Sequence, residues 1–489
     1  MGTTSSQRMS TGIAGLDAIL GGGLIAGRAY LVRGGPGTGK TMLGLHILEE
    51  GAARGEKALF ISLEEPERQI RHDAAALGLE LEGVAFLDLS PNAEFFTEGR
   101  VYDIFTPAEV EREPTTRKII EQIEALTPER VFLDAVTQFR YLCSDEFQFH
   151  TEVLSFMRFL RDRGITLVMT SEGSAMAPDD DLQFLSDGVF NLSFTGEDRG
   201  LLVTKFRGSD FSGGSHAMRL TANGIRVFPR LVPHRHGREF VGEAVSSGVP
   251  ELDAMLHGGL ERGTVSVITG PAGVGKTTLG LYFMKEAACR GEHSVVFSFE
   301  EGLATLLHRA QAVGIPMRSM MDSGRLSVIP IEPLRYCADE FAAMVREEVE
   351  KRHARIVMVD SVTGYNLCVR GQDLIRHVHA LCNYLRNMGV SGILVNEVET
   401  ITGVFRATET GISFLSDNIV FLRYMEMNGA LHRAIGVLKK RMSSFEGSLR
   451  EISLTPRGLQ VGEPLTGMHG LLSGMPESSG GHGRGAHRG

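Results

Sequence analysis

Short apolar runs, each closed by a turn or polar residue, alternate with helical stretches along both halves of the chain. In the first half, residues 29–33 are apolar up to a glycine-rich turn, and 40–54 continue at helical period. Residues 57–62 are the next predicted strand and 66–77 a helix with proline at its start. Then come a buried strand at 130–134, a helix at 150–163 and a strand at 165–170. Runs this short, bounded by turn residues and alternating with helices, predict a mostly parallel sheet covered on both faces. After Asp187 the spacing tightens to 188–194, 200–206, 217–220 and 224–228, which predicts antiparallel hairpins on the sheet edge. A stretch rich in Pro, His and Arg at 229–243 predicts a linker, after which the pattern restarts.

The restart is a repeat. Gly34-Gly35-Pro36-Gly37-Thr38-Gly39-Lys40-Thr41 and Gly270-Pro271-Ala272-Gly273-Val274-Gly275-Lys276-Thr277 both fit G-x-x-x-x-G-K-[ST], and Thr278 follows the second. In such a loop backbone N–H groups wrap phosphates, the lysine reaches the β- and γ-phosphates, and the hydroxyl holds Mg²⁺. The loops lie 276 − 40 = 236 residues apart, the spacing of whole domains. Leu16-Asp17 is matched by Leu252-Asp253, and Gly22-Gly23-Leu24 by Gly258-Gly259-Leu260, at the same offset. The expected division is a first domain over 1–235, a second over 236–464, and a flexible Gly/His-rich tail over 465–489.

Each loop heads the same ordered set. Glu64-Glu65 and Glu300-Glu301 end strands, where adjacent carboxylates can polarise a water for attack on the γ-phosphate. Asp134 and Asp360 end later apolar strands, the position of a carboxylate that holds Mg²⁺. Lys205 with Arg207, and Lys439 with Arg441, are cations on late strands. The γ-phosphate lies near the domain surface, so a neighbouring subunit can supply them in trans. A nucleoside triphosphate and Mg²⁺ are the expected cofactors.

Composition narrows the class. Net charge is −10 over 489 residues, with no Trp and 8 Tyr, which disfavours a broad nucleic-acid surface. The five cysteines form no C-x-x-C pair, as in a reducing cytosol. No apolar run reaches the roughly 18–20 residues of a membrane span, and the first ten residues are polar; a cytoplasmic enzyme that makes no membrane contact is expected.

With these motifs in place, the chain resembles the KaiC family of circadian-clock ATPases and autokinases, within the RecA-type ATPases. The resemblance covers residues 8–476 and includes Leu471-Leu472-Ser473-Gly474-Met475-Pro476 near the end. It implies two tandem RecA-like domains and a double-ring homohexamer with ATP between subunits. It further implies hydrolysis mainly in the first domain, serine/threonine autokinase activity in the second, and KaiB-like or other signalling partners. The family's acceptor stretch matches residues 409–417. Ser413 falls on the family's acceptor serine, while Phe414, with no hydroxyl, takes the threonine position. Thr408 and Thr410 are nearby hydroxyls, and Met442 stands where the first half has Gly208. Two other readings stay open: a nucleotide-gated scaffold without kinase activity, and a RecA-like nucleic-acid-dependent ATPase.

Overall fold

The structure, a computed structural model, describes residues 7–91, 107–173, 179–196, 198–369, 374–398, 412–427, 429–466, 468–469 and 477–478. The chain divides into two compact units, Met1–Arg230 and Leu231–Gly489.

The first unit holds a nine-stranded sheet. Its strands are β1 (Ala29–Arg33), β2 (Ala58–Ser62), β3 (Val84–Asp88), β4 (Arg130–Asp134), β5 (Thr166–Ser171), β6 (Gly188–Phe194), β7 (Arg199–Phe206), β8 (Ser215–Thr221) and β9 (Gly224–Phe228). Their order is β3-β2-β4-β5-β1-β6-β7-β8-β9. Pairing is parallel from β3 to β6 and antiparallel from β6 to β9. The period of two along each strand splits the interior into two cores. Along β1, Tyr30 and Val32 join the core beneath helix α1 (Lys40–Ala53), while Ala29 and Leu31 join the core on the opposite face. Helix α1 rests directly on the sheet: a Cβ on Gly44 would lie 2.0 Å from the Phe132 ring.

The second unit repeats this plan. Its strands are β10 (Val265–Gly270), β11 (Ser294–Ser298), β12 (Leu326–Pro330), β13 (Ile356–Asp360), β14 (Ser391–Glu397), β15 (Asn418–Met427), β16 (Ala430–Lys440), β17 (Arg450–Thr455) and β18 (Gly458–Pro464). The order β12-β11-β13-β14-β10-β15-β16-β17-β18 matches the first sheet strand for strand. The matching helix is α2 (Lys276–Cys289), where a Cβ on Gly280 would lie 2.4 Å from the Met358 sulfur. Both sheets are therefore the expected α/β layers with antiparallel edge strands.

The stretch expected to be a linker is not free. Leu231 is buried in the second unit's core, Asn387 Nδ2 donates to the Pro233 carbonyl at 2.9 Å, and Arg238 N donates to the Asn387 carbonyl at 2.9 Å. The units consequently divide after Arg230, ahead of the expected boundary at 235/236. Of the expected tail, 468–469 pairs with 477–478, whereas 471–476 and 479–489 lie outside the described residues. No described helix is long and apolar enough to cross a membrane.

Two buried imidazoles predict acid sensitivity in the first unit. Burial pushes His46 below the usual histidine range, and its Nε2 accepts from Ile225 N at 2.7 Å, tying α1 to the β8–β9 hairpin. Burial likewise lowers His216, whose Nδ1 accepts from Arg230 N at 3.0 Å. The folded state thus favours the neutral form of both. Their contribution to stability is complete above the unfolded pKa of about 6.5 and is lost as pH falls through the depressed folded values. Thermal melts should therefore show the first unit weakening as pH drops below about 6.5. His46→Gln, which keeps an acceptor but does not titrate, should flatten that decline; an unchanged pH slope would contradict this assignment.

Candidate nucleotide sites

Both phosphate loops sit where the central strand ends, at the carboxyl edge of the sheet, between neighbours that lead to opposite sides. Gly37 and Gly39 adopt φ of 71° and 99°, and Gly273 and Gly275 adopt 73° and 113°, conformations that side-chain-bearing residues avoid. These turns let α1 and α2 begin at Lys40 and Lys276, presenting free helical N–H groups to an anion. Lys40 Nζ donates to the carbonyls of Gly34 at 2.8 Å and Gly35 at 3.2 Å. Lys276 Nζ donates to the Pro271 carbonyl at 2.8 Å and lies 3.8 Å from Glu397. Burial lowers the Lys276 pKa, against the pull of Glu397 and Asp360.

The aspartates meet the loop hydroxyls. Thr41 Oγ1 donates to Asp134 at 2.6 Å, across 93 residues of sequence, and Thr277 Oγ1 donates to Asp360 at 2.8 Å, across 83. A carboxylate beside a hydroxyl at the foot of a phosphate loop is an oxygen donor set suited to Mg²⁺. The two sites differ in one neighbour. Asp134 also accepts from the Thr170 hydroxyl, whereas strand register puts the apolar Val395 at the matching place on β14. Burial pushes Asp360 up to about 6, with the Thr277 hydrogen bond opposing. The peptides after both aspartates are cis.

The paired glutamates differ in their partners. Glu64 accepts from Gln138, and Glu300 from Ser361; both donors follow the aspartate strands. Burial raises the Glu64 pKa, with Glu172 and Asp134 adding to the shift and Gln138 and Lys40 opposing it. Glu65 is raised too, by burial first and then by Asp134. Glu301 is held by Arg309 at 2.8 Å, and its carbonyl accepts from Ser298 Oγ at 2.7 Å. The first glutamate of each pair is thus tied to the segment that follows the aspartate.

The late cations stand at the opposite edge of the sheet. Strand β7 runs antiparallel to β6, so its end, with Lys205 opposite Val189, lies beside the start of β6. Lys205 Nζ donates to the carbonyls of Gln183 at 2.8 Å and Phe184 at 3.0 Å. Arg207 N donates to the Asp187 carbonyl at 2.8 Å, and Asp187 N to the Ala29 carbonyl at 2.8 Å, at the first residue of β1. The loop follows the last residue of that strand. The second unit repeats this: Lys439 Nζ donates to the carbonyls of Ser413 at 3.1 Å and Ser416 at 2.6 Å, and Arg441 lies 3.4 Å from Asp417. Neither cation pair meets the loop of its own unit.

Comparison with known proteins decides the family. The KaiC ATPase family model matches residues 9–232 and again 245–466. The chain belongs to the KaiC family of ATPases. It is 27% identical to circadian clock protein KaiC3 of Synechocystis sp., over 97% of this chain and 95% of that protein. It is 29% identical to the circadian clock oscillator protein KaiC of Synechococcus elongatus, over 96% and 92%. With the protein of that name from Parasynechococcus marenigrum it shares 28%, over 96% and 93%.

The stretch matching the KaiC family's acceptors is described from Ile412 onward; Thr408 and Thr410 lie outside the described residues. Ser413 is half-buried in a short 3-10 turn, and its carbonyl accepts from Ser416 Oγ at 2.9 Å. Phe414 is 57% exposed, and its first-unit counterpart Phe184 is 78% exposed. Sequence reasoning missed a further pair in each unit. Arg199 stacks on Phe194 across the β6–β7 turn, and its Nε donates to the Gly37 carbonyl at 3.2 Å. Tyr424 and Arg433 are paired likewise, with the Tyr424 hydroxyl 3.5 Å from the Ala272 carbonyl. Only strand register brings these residues to the loop tips.

Proposed function

We propose that this KaiC-family ATPase hydrolyses ATP at both loops and that its second site also transfers the γ-phosphoryl group to Ser413 of a neighbouring copy. The observation that carries the reading is the edge placement: Lys205 and Arg207, and Lys439, Arg441 and Ser413, all lie across the sheet from their own phosphate loop. A site built from one copy's loop and the next copy's cations requires a head-to-tail assembly, and a closed homohexameric ring fits the family. Such a ring would act as a signalling or circadian-type regulator, with KaiB-like or other signalling proteins as partners.

In each site the loop N–H groups and Lys40 or Lys276 bind the phosphates, and Thr41 with Asp134, or Thr277 with Asp360, would hold Mg²⁺. When bound, that ion neutralises charge on the β- and γ-phosphate oxygens. Glu64 takes a proton from water as the water oxygen bonds to the γ-phosphorus and the bond to ADP breaks. Burial, which favours the protonated carboxyl, makes Glu64 a stronger base than an exposed carboxylate. Glu300 does the same for the incoming Ser413 hydroxyl, and phosphoserine and ADP result.

Phe414 favours a second reading, a nucleotide-gated scaffold in which no hydroxyl is phosphorylated. Incorporation of γ-labelled ATP with site mapping separates the two. The wild type should label on Ser413, whereas Ser413→Ala and Lys276→Ala should not; Lys40→Ala should mainly impair assembly and hydrolysis. Absence of label in the wild type with normal hydrolysis would leave the scaffold. Equal labelling in all variants would overturn the division of labour between the loops.

A further inference from the structure

In the first unit an ion pair at the carboxyl edge of the sheet anchors a helix that leads to the other edge. Arg33, the last residue of β1, precedes Gly34, whose carbonyl holds Lys40. Its Nε donates to Asp179 at 2.8 Å, and a second bond from Nη2 makes the pair bidentate. The Asp179 side chain is only 1% exposed, and Ser171 at the end of β5 also donates to it. Burial alone would raise the Asp179 pKa, but the bonds from Arg33 and Ser171 pull it below the usual carboxylate range. Asp179 immediately precedes a short helix, Asp180–Leu185, which leads from this carboxyl edge toward Asp187 at the amino edge. Near the far end of that helix, the carbonyls of Gln183 and Phe184 hold Lys205 Nζ.

We infer that Arg33 and Asp179 are positioning residues that fix Lys205 for the neighbouring subunit's ATP, so that the first-unit phosphate loop of one subunit is mechanically linked to the next subunit's site. The inference rests on the proposed supply of Lys205 in trans. The chain of contacts is continuous: loop, Arg33, Asp179, helix, Lys205. A bidentate guanidinium–carboxylate pair fixes orientation as well as distance. The second unit is built differently. Its residue at the Arg33 position is Thr269, since 33 + 236 = 269, and its Oγ1 accepts from Asn396 at 3.2 Å. Among the described residues, the Arg33–Asp179 link therefore has no counterpart at Thr269.

The test mixes two kinds of subunit, all carrying Lys276→Ala to silence the second site. One kind, Glu64→Gln with Glu65→Gln, cannot hydrolyse at its own first loop but donates Lys205. The other, Lys205→Ala, keeps a working loop but donates no lysine. Each alone should be nearly inactive, and the mixture should regain hydrolysis. Arg33→Thr placed in the lysine donor should lower that regained activity at least tenfold, with KM for ATP unchanged. Placed in the loop donor, it should change activity by less than twofold. Exchanging the charges (Arg33→Asp with Asp179→Arg) in the lysine donor should restore part of the loss. Equal loss in both placements, or loss only in the loop donor, would overturn the inference. Failure of the parent mixture to regain activity would instead overturn the trans reading on which it rests.

Discussion

Replacing Arg130 with methionine should destabilise the first unit by roughly 3–5 kcal/mol, the cost of removing one partner from a buried ion pair. The Arg130 side chain is 1% exposed, pairs with Glu56, and donates to the carbonyls of Ser10 at 2.8 Å and Ile47 at 2.7 Å. It lies against the last turns of α1, where a Cβ on Gly51 would come within 2.7 Å of it, so its charge also meets the carbonyl end of the helix. The second unit solves the same problem from another position. Glu292 matches Glu56, since 56 + 236 = 292, but register places Ile356 where Arg130 stands. The guanidinium comes instead from Arg262, which matches Ala26, is 3% exposed and donates to Glu292 at 2.6 Å. Arg130→Ile combined with Ala26→Arg would transplant the second arrangement into the first unit. It should recover most of the thermal stability lost by Arg130→Ile alone. No recovery in calorimetry would mean that the two pairs are not equivalent.

That exchange shows why some of the site was legible in the sequence and some was not. The loops, the glutamate pairs and the strand-end aspartates are each compact in sequence and repeat in both halves, so they stand out. The meetings Thr41–Asp134 and Thr277–Asp360 follow from them, because in both units α/β winding returns those strands beside the loop strand's neighbours. Arg33 was passed over because a single arginine ending a strand ordinarily reaches solvent. Asp179 and the helix after it fall in a polar stretch with no clear period. The helix Pro107–Leu126 was missed because Pro114 and its dense charges mask the apolar spacing. Gln138, Ser361, Arg199 and Arg433 contribute only through turn geometry and register, which one sequence does not display. The edge position of Lys205 and Lys439 is likewise a product of antiparallel pairing; the sequence marked the residues without showing that their own loop is out of reach.

That edge position yields the second large effect. Lys439→Ala should lower phosphoryl transfer at the second site by about 10³-fold, in the range for loss of a trans-acting cation on a transferring phosphoryl group. Ser413 and Lys439 lie on the same edge, with Lys439 Nζ 3.1 Å from the Ser413 carbonyl. In the proposed two-subunit site, acceptor and cation would therefore reach the neighbour's loop together. A mixture of Lys276→Ala and Lys439→Ala subunits then has a specific outcome, although neither labels alone. The working site combines the loop of a Lys439→Ala subunit with the edge of a Lys276→Ala subunit. Label should appear on Ser413 of the Lys276→Ala chain, the one whose own loop is disabled. Tagging one chain to alter its mass makes the two separable. Label on the Lys439→Ala chain would mean that Ser413 reaches its own subunit's nucleotide, and the two-subunit site would be wrong. Because Lys439 also ties down the carbonyls of Ser413 and Ser416, melting curves must accompany the assay. A second-unit transition that stays in place while transfer collapses assigns the loss to chemistry and not to folding.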